Sequence, residues 1–541
     1  MTEVLVAGAG PVGLTVAHEL LRRGGAVRIV DRAAAPAVTS RALATHARTW
    51  EIFRQMGVAE HLLPRGQRVE HFSIHQNGRR LIRFDTNYDA LPTHYPYSVM
   101  VDQVVTEEVL RERVVAHGGR IEWGVALETV TGGSDHVEVR LRHDGGRVEH
   151  LTVPWLVGCD GGRSTVRRQL GLTLLGDTTE VWLNADVVIE GAGLARDSNH
   201  LVRSGAGALL LVPFPDRDKW RVVDTEDASD PDDTEAVRAR LEHKLGKALR
   251  KPARVAAPTW VSAFTVQQRM IQKMRVGRCF VAGDAAHVHS PASGQGMNTG
   301  IQDAYNLSWK LADVVRGHAD EALLDSYGAE RVPIGKVLLG STRKAAALVT
   351  LRNLAAPLAL PVGLGLLNAV KPLKRKIEHK IVGGFCGLAL HYEDGPLTMT
   401  SGSGQRQRGI IPGHRVETSQ RVARESPGWA ALRGELVDSR WHLLAFAAAA
   451  DDAEDLVLTL KHIDRRYGEA VSVRTVVEGP AGDGLPHAML PLADPGGVLR
   501  RDLAAQPGDF ALIRPDGYLA GGGPLQGVSQ ATAALRACGL T

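Results

Sequence analysis

Close to its start the chain places three glycines within six residues, Gly8-Ala9-Gly10-Pro11-Val12-Gly13. They lie between an apolar run (Val4-Leu5-Val6-Ala7) and an amphipathic stretch ending near Arg22-Arg23-Gly24. No other feature restricts the fold so tightly. Residues 3 to 31 read as strand, tight turn, helix and strand, the βαβ unit of a doubly wound sheet. Gly8 permits the turn, Gly10 lets backbone amides approach a pyrophosphate, and Gly13 allows the helix to pack closely. The phosphates then rest on the positive end of the helix. Asp31 ends the second strand about 20 residues on, where its carboxylate can accept hydrogen bonds from a ribose, and Arg32 beside it can lie over an adenine. A glycine triplet alone is weak evidence. With strand, helix, second strand and acid in register, it predicts a bound dinucleotide.

Which dinucleotide is decided far along the chain, by Gly283-Asp284-Ala285-Ala286-His287, then Pro291 and Gly294-Gln295-Gly296-Met297-Asn298. An enzyme using only a nicotinamide dinucleotide needs nothing like it. Asp284 follows an apolar strand, Cys279 to Ala282, and can hydrogen-bond a polyol such as a ribityl chain. Gly294, Gly296 and Asn298 stand before a helix expected from about Thr299 to Arg316. Amides at that N-terminus would stabilise negative charge at the N1/C2 edge of a reduced isoalloxazine. The bland alternative is an ordinary glycine-rich loop with a helix cap. One long cofactor gripped at both ends by distant segments implies FAD. It is expected to be noncovalent, since no cysteine or histidine signature for attachment is recognisable.

At 541 residues the chain exceeds one compact core, so two or three domains are expected. A net charge of +4 over this length is small and dispersed, and makes no case for nucleic acid. Cys159, Cys279, Cys386 and Cys538 are far apart, without a CxxC pair or metal-ligand spacing. No metal site is expected, and a reducing cytoplasm is the better reading. Met1-Thr2-Glu3 leads directly into a strand, unlike a signal peptide. The most apolar stretch, Leu354 to Val370, is broken by Pro357, Pro361, two glycines and Asn368, and is shorter than a bilayer span of roughly 20 residues. It reads as a packed helical connector with no integral membrane association. The basic segment Lys371 to Lys376 leaves peripheral membrane contact as the lesser reading.

Helical patterns run from about Leu43 to Met56 and from Asp102 to His117. A hairpin (Val137 to Leu141, Val148 to Val153) turns at Asp144-Gly145-Gly146, and a buried strand, Trp155 to Gly158, leads into Cys159-Asp160-Gly161-Gly162. Residues 177 to 275 change character, with strand-like runs around one charged helix at about Asp233 to Leu249. They read as an inserted antiparallel sheet. The expected division is 1–70, 101–176 and 277–340 for an FAD-binding domain and 71–100 with 177–276 for a substrate-binding sheet domain. A helical connector and linker then occupies 341–409, with a separate α/β domain over 410–541. In the last, Trp441 to Ala447, Val471 to Val477 and Phe510 to Ile513 are strands, and Ala453 to Tyr467 is a helix.

Gly8 to Gly13, Asp160-Gly161 with Gly162-Arg163-Ser164-Thr165-Val166-Arg167, and Gly283 to His287 together resemble the fingerprints of the class A flavoprotein monooxygenases, the para-hydroxybenzoate hydroxylase superfamily. The resemblance spans roughly residues 1 to 340. The C-terminal region, in Trp441-His442-Leu443-Leu444 and Ala511 to Gly517, resembles the thioredoxin-like appendage of the phenol and polyketide hydroxylase branch. In pattern the chain is nearest aromatic polyketide hydroxylases of antibiotic pathways and rifampicin monooxygenases. The implied architecture is α/β: a Rossmann-like FAD-binding domain with an inserted antiparallel sheet, a helical connector and a thioredoxin-like C-terminal domain.

Position by position, the resemblance implies FAD contacts from the backbone at Val12 and Gly13 and from the side chains of Asp31, Arg32, Arg41, Gln103 and Asp284. It also implies backbone amides from Met297 and Asn298, an adenine contact at Val125, and support for FAD and a transient NADPH or NADH from Asp160-Gly161. Solvation for Arg41 and helix capping for Gln103 are the plainer readings. Two departures matter. The appendage has no CxxC, so a redox role is not expected, and Gly413-His414-Arg415-Val416-Glu417 alters the family's usual Gly-x-Arg-x-Pro stretch, which blurs the domain boundary.

The implied mechanism needs few protein acids or bases. NAD(P)H reduces FAD, the reduced flavin adds O2 as a C4a-hydroperoxide, and an electron-rich ring attacks its distal oxygen. Pro291 and the Gly294 to Gly296 loop are expected beside the oxygen. His287 and His289 form a candidate proton relay, with packed histidines as the commoner alternative. The apolar strand Ala208 to Phe214 and the lack of an evident cation cluster favour a small-molecule substrate that is large, planar and phenolic or polycyclic. A Baeyer–Villiger oxygenase or an antibiotic-inactivating monooxygenase on the same scaffold is the alternative. A halogenase is disfavoured because its Trp-x-Trp-x-Ile-Pro element is absent, and a non-enzymatic flavin scaffold by the complete flavin-edge loop. A monomer or homodimer is expected.

Overall fold

The computed structural model describes residues 2–85, 91–204, 207–226, 230–289, 294–350, 356–399, 409–447, 454–478 and 491–541. Val4–Ala7 lies inside a six-stranded sheet ordered Arg275–Val276, Cys279–Val281, Trp155–Gly158, Val4–Ala7, Val27–Asp31, Ile121–Trp123. Its pairs are parallel except at the Arg275–Val276 edge. Val4, Leu5 and Val6 are fully buried, which explains an unbroken apolar run: both faces of a parallel sheet are covered. Helix Pro11–Arg22 packs against helices Gln103–Ala116 and Gly296–Val315. A three-stranded meander, Val125–Gly132, Val137–His143 and Val148–Val153, shares the same apolar core.

A nine-stranded sheet forms the second layer. Its path runs His287–Val288, Trp260–Met270, Leu175–Glu190, Lys219–Asp224, Gly207–Pro213, Ser198–Ser204, His71–Gln76, Arg79–Asp85, with Arg254–Val255 paired to Leu175–Glu190. Side chains alternate across it. Leu183, Ala185, Val202, Leu209, Leu211 and Val222 pack with Val237, Leu241 and Leu245 of helix Thr234–Leu249. Their alternates, Asn184, Leu201, Leu210, Val212 and Val223, face a cavity on the other side. Over that face lie helices Ala356–Ala369 and Lys371–Phe385, whose Leu364, Leu367 and Ile377 join its apolar cluster. Among the described residues no helix is long and apolar enough to cross a membrane.

The C-terminal sheet is ordered Leu492–Ala493, Val471–Val477, Trp441–Ala447, Asp509–Ile513, Leu519–Pro524. Trp441–Ala447 pairs parallel with Val471–Val477 across helix Glu454–Tyr467, and antiparallel with a terminal hairpin that leads into helix Val528–Ala537. This is a thioredoxin-like arrangement. Its core is continuous with the FAD-binding region: Trp441 meets Trp309 edge-on at 5.3 Å and donates through Nε1 to Asp313 at 3.2 Å.

Several expected details are corrected. The inserted sheet is not wholly antiparallel, since Ser198–Ser204 and His71–Gln76 run parallel. Residues 67–69 and 98–100 belong to neither large sheet but pair in a small one with Ala44–Thr45, and the helix expected from Leu43 starts only at Ala47. The helix expected from Thr299 begins at Gly296, because Gly300 packs where a Cβ would stand 2.7 Å from Val12 Cγ2 and tertiary contact overrides the poor helix propensity of glycine. The expected linker at 401–409 lies, but for Gly409, outside the described residues.

Candidate active site and cofactor cradle

A single cavity of about 1320 Å³ runs from the glycine-rich turn to the inner face of the nine-stranded sheet. Gly8, Gly10, Val12, Asp31, Arg32, Arg41, Gln103, Val125, Asp160, Gly161, Asp284, Gly294, Gly296 and Met297 all line it. Segments more than two hundred residues apart are thus brought to one wall. Gly13 and Asn298 are not among the lining residues, and Pro291 falls outside the described residues.

At the first end, Gly8 has φ +107°, and a Cβ there would stand 2.4 Å from the Cys159 carbonyl oxygen. A Cβ on Gly13 would stand 1.9 Å from the Gly8 carbonyl oxygen, so both glycines are dictated by close approach. Pro11 opens the helix without losing an intrahelical bond, and no side chain caps that N-terminus, which leaves its first amides open to an anion. Asp31 accepts from the Ala9 amide at 2.7 Å and the Ala33 amide at 2.8 Å, bracing the turn from its second strand. Trp123 and Glu107 line the same region and were not foreseen.

The middle of the cavity is held by buried polar clamps. Gln103 does not cap its helix: Oε1 accepts from the Ala42 amide at 2.9 Å and Nε2 donates to Glu107 at 2.8 Å, fixing the Arg41-Ala42 segment. Arg221, 4% exposed on the inserted sheet, grips the same segment by donating to the carbonyls of Arg41 (2.8 Å) and Ser40 (2.7 Å), and is itself held by Asp186. The Asp160 carboxylate accepts from Ser164 Oγ at 2.5 Å and the Thr165 amide at 2.6 Å, so it organises the short helix Thr165–Gln169. Arg167 in that helix donates to the Gly162 and Ala285 carbonyls, joining the Asp160-Gly161 element to the Gly283-Asp284 element.

At the second end, Gly283 has φ +63° and a Cβ there would lie 2.8 Å from Val12 Cγ2. The Asp284 side chain opens into the cavity. Burial pushes its carboxyl above the usual range, against the opposing pull of His287 and Arg41. His287 is no cavity group. It is 2% exposed, with Nε2 2.6 Å from Asp303 Oδ2, and Arg331 donates to Asp303 Oδ1 at 2.7 Å. Burial alone would raise the Asp303 carboxyl, but Arg331 and His287 outweigh it and hold it at about 2. His289 does line the cavity, and burial, aided by His287, lowers it to about 3, so it is neutral at ordinary pH. Asn298 works behind the wall: Oδ1 accepts from the His46 amide at 2.9 Å while Nδ2 donates to the Ala44 and Gly294 carbonyls. It sets the loop whose Gly296 and Met297 face the cavity.

These features fit FAD. The turn closes only because Gly8 and Gly13 lack side chains, an acid stands at each end, and a second uncapped helix N-terminus faces the far end. The FAD binding domain family matches residues 1–342, and the chain belongs to it, as an FAD-dependent aromatic monooxygenase. Over 535 residues, covering 99% of this chain and 93% of the relative, it is 59% identical to 6-methylpretetramide 4-monooxygenase of Streptomyces rimosus. It is 36% identical to a rifampicin monooxygenase of Streptomyces venezuelae, covering 63% of this chain and 71% of that one. The solved anhydrotetracycline hydroxylase of Streptomyces rimosus superposes with a TM-score of 0.72 at 28% identity, covering 99% of this chain and 98% of that one.

Proposed function

We propose that this enzyme hydroxylates a polycyclic phenol of the pretetramide type, with NADPH or NADH as reductant and O2 as oxygen donor. The observation that carries this reading is the continuity of one cavity from the cofactor cradle to an apolar sheet face. The 59% identity over nearly the whole chain to a 6-methylpretetramide 4-monooxygenase supports the substrate class. Phe72, Ile74, Phe84, Leu210 and Val223 give that face an apolar surface, which suits a fused aromatic ring system.

When bound, FAD supplies hydride acceptance from the nicotinamide and activation of O2. In this proposal the helix that follows Gly10 receives the pyrophosphate, Asp31 and Arg32 receive the adenosine side with Val125, and Asp284 takes the ribityl chain. Arg41, positioned by Gln103 and Arg221, lies along the cofactor's length. The amides of Gly296, Met297 and Asn298 stabilise charge on the reduced ring. The apolar face orients the phenol and excludes water. No side chain is assigned as acid or base; neutral His289 is the one cavity imidazole beside the Asp284 element. The segments of the expected domain division are proposed to carry these tasks in the order given. Four buried cysteines, far apart in the sequence and without a CxxC pair, favour a reducing cytoplasm, and a monomer or homodimer is the working assembly.

The test is NADPH consumption by the FAD-loaded enzyme against a panel of polycyclic phenols, quinones and rifamycins. Oxidation that rises several-fold only with polycyclic phenols is expected. Equal stimulation by all classes, or by none, contradicts the reading.

A further inference from the structure

The cavity is apolar over most of its sheet face, yet two carboxamides project into it from that face. They are Asn184 on Leu175–Glu190 and Asn199 on Ser198–Ser204. Among the described residues, neither side-chain oxygen has a hydrogen-bond partner, although both atoms are buried. A buried polar atom left unpaired is costly, and a half-turn of the carboxamide, whose terminal torsion is soft, presents each oxygen to what enters the cavity.

Their separation follows from the sheet. Between the two strands lie Lys219–Asp224 and Gly207–Pro213, so the residues are three strand spacings apart. The register sets Asn184 opposite Val223, Val223 opposite Leu210 and Leu210 opposite Leu201. Asn199 lies two residues from Leu201, on the same face. With strands about 4.8 Å apart and about 3.4 Å per residue, the two backbone positions are roughly 16 Å apart. Allowing a hydrogen bond of about 2.8 Å at each end, the groups they reach on one ligand are on the order of 10 Å apart. Leu201, Leu210 and Val223 pave the space between them.

We infer that Asn184 and Asn199 read the two ends of the substrate, and so select a flat, rigid ligand with polar substituents separated by the length of about four linearly fused six-membered rings. Hydroxyl groups suit both positions, because a hydroxyl both donates and accepts and pairs with either end of a carboxamide. A shorter aromatic reaches one asparagine and leaves the other unpaired, which penalises it. The inference rests on the hydroxylase reading and deepens it: it names what sets substrate length.

The test uses FAD-loaded enzyme, with Kd read from the change in flavin absorbance as ligand is added. The probes are 6-methylpretetramide, which is tetracyclic, and 1,8-dihydroxynaphthalene, which is bicyclic. Asn184→Leu and Asn199→Leu keep the volume, and Asn184→Ala and Asn199→Ala serve as second variants should a leucine impair FAD loading. Each substitution is expected to raise the Kd of the tetracycle about tenfold. For the bicycle, at most one of the two positions responds. A tetracycle Kd unchanged at either position, or equal losses for both probes at both positions, overturns the inference while leaving the hydroxylase reading standing. A wild-type enzyme that binds neither phenol and oxidises NADPH no faster with them overturns that reading, and the inference with it.

Discussion

Arg221 and Asp186 form a two-pronged ion pair, 2.8 and 2.9 Å long and almost wholly buried, at the seam between the inserted sheet and the cofactor region. The same guanidinium holds the carbonyls of Ser40 and Arg41, so the inserted sheet and the Ser40-Arg41 segment share one anchor.

Arg221→Lys should therefore disturb the proposed cofactor site although position 221 is on the inserted sheet. A lysine is a point charge and cannot make the paired bonds to Asp186 while reaching two carbonyls. FAD affinity measured by reconstitution of apoprotein should fall about tenfold, with the fold retained. Wild-type affinity in the variant would show that the strap does not position Arg41.

Asp284→Ala removes the group proposed to bind the ribityl chain. A bond of this kind is worth roughly 1 to 3 kcal/mol, so FAD affinity should drop tenfold or more. Released flavin should be intact FAD, in about one equivalent per chain for the wild type. Full flavin retention in the variant would mean that Asp284 only shapes its turn.

The C-terminal region is expected to act by packing. Arg514 donates to Glu330 at 2.6 and 2.9 Å and to Asp516, and Lys310 donates to Glu330 at 2.8 Å, all fully buried. Arg514→Met breaks this network from one side and should lower unfolding free energy by about 3–5 kcal/mol in denaturant titration. Cys538→Ser should leave NADPH oxidation and product formation unchanged, because burial raises that thiol to about 12 and thiol exchange needs a reactive thiolate with a neighbour. A folded, FAD-loaded Cys538→Ser enzyme without turnover would contradict a purely structural role.

Acid should destabilise the protein in two stages. Burial, the largest cause at each, lowers His18, His75, His94 and His442 from 6.5 to about 4 and His289 to about 3. The unfolded chain takes up these protons first, so stability falls as pH drops from 6.5 to about 4. Glu330 and Asp303 are held at about 2, where buried cationic partners outweigh desolvation, and their contribution is lost lower still, between about 4.5 and 2. Thermal midpoints measured across this range check the sign. A midpoint level from pH 6.5 to 4 would contradict it.

The cofactor motifs were legible because their residues admit no substitutes. Gly8 and Gly13 are fixed by backbone approach, and Asp31 and Asp284 by their place at strand ends. The clamps were not legible. Arg221 binds a carbonyl 181 residues away, and no local pattern announces that contact. Alternation along Leu175–Glu190 puts Asn184 and Asp186 on one face, and no local pattern tells which face meets the cavity. The parallel pair His71–Gln76 with Ser198–Ser204 leaves no turn or spacing signal, and His287 is the packed histidine of the commoner reading, held by Asp303.

One cavity is proposed to bring the reduced cofactor and a polycyclic phenol together for oxygen insertion. This is tested most directly by turning over 6-methylpretetramide with NADPH under isotopically heavy O2 and reading the product by mass spectrometry. One heavy oxygen atom on an intact ring system is expected, with one NADPH consumed. An unlabelled product, a ring-opened or lactone product, or NADPH oxidation that yields only hydrogen peroxide would contradict it.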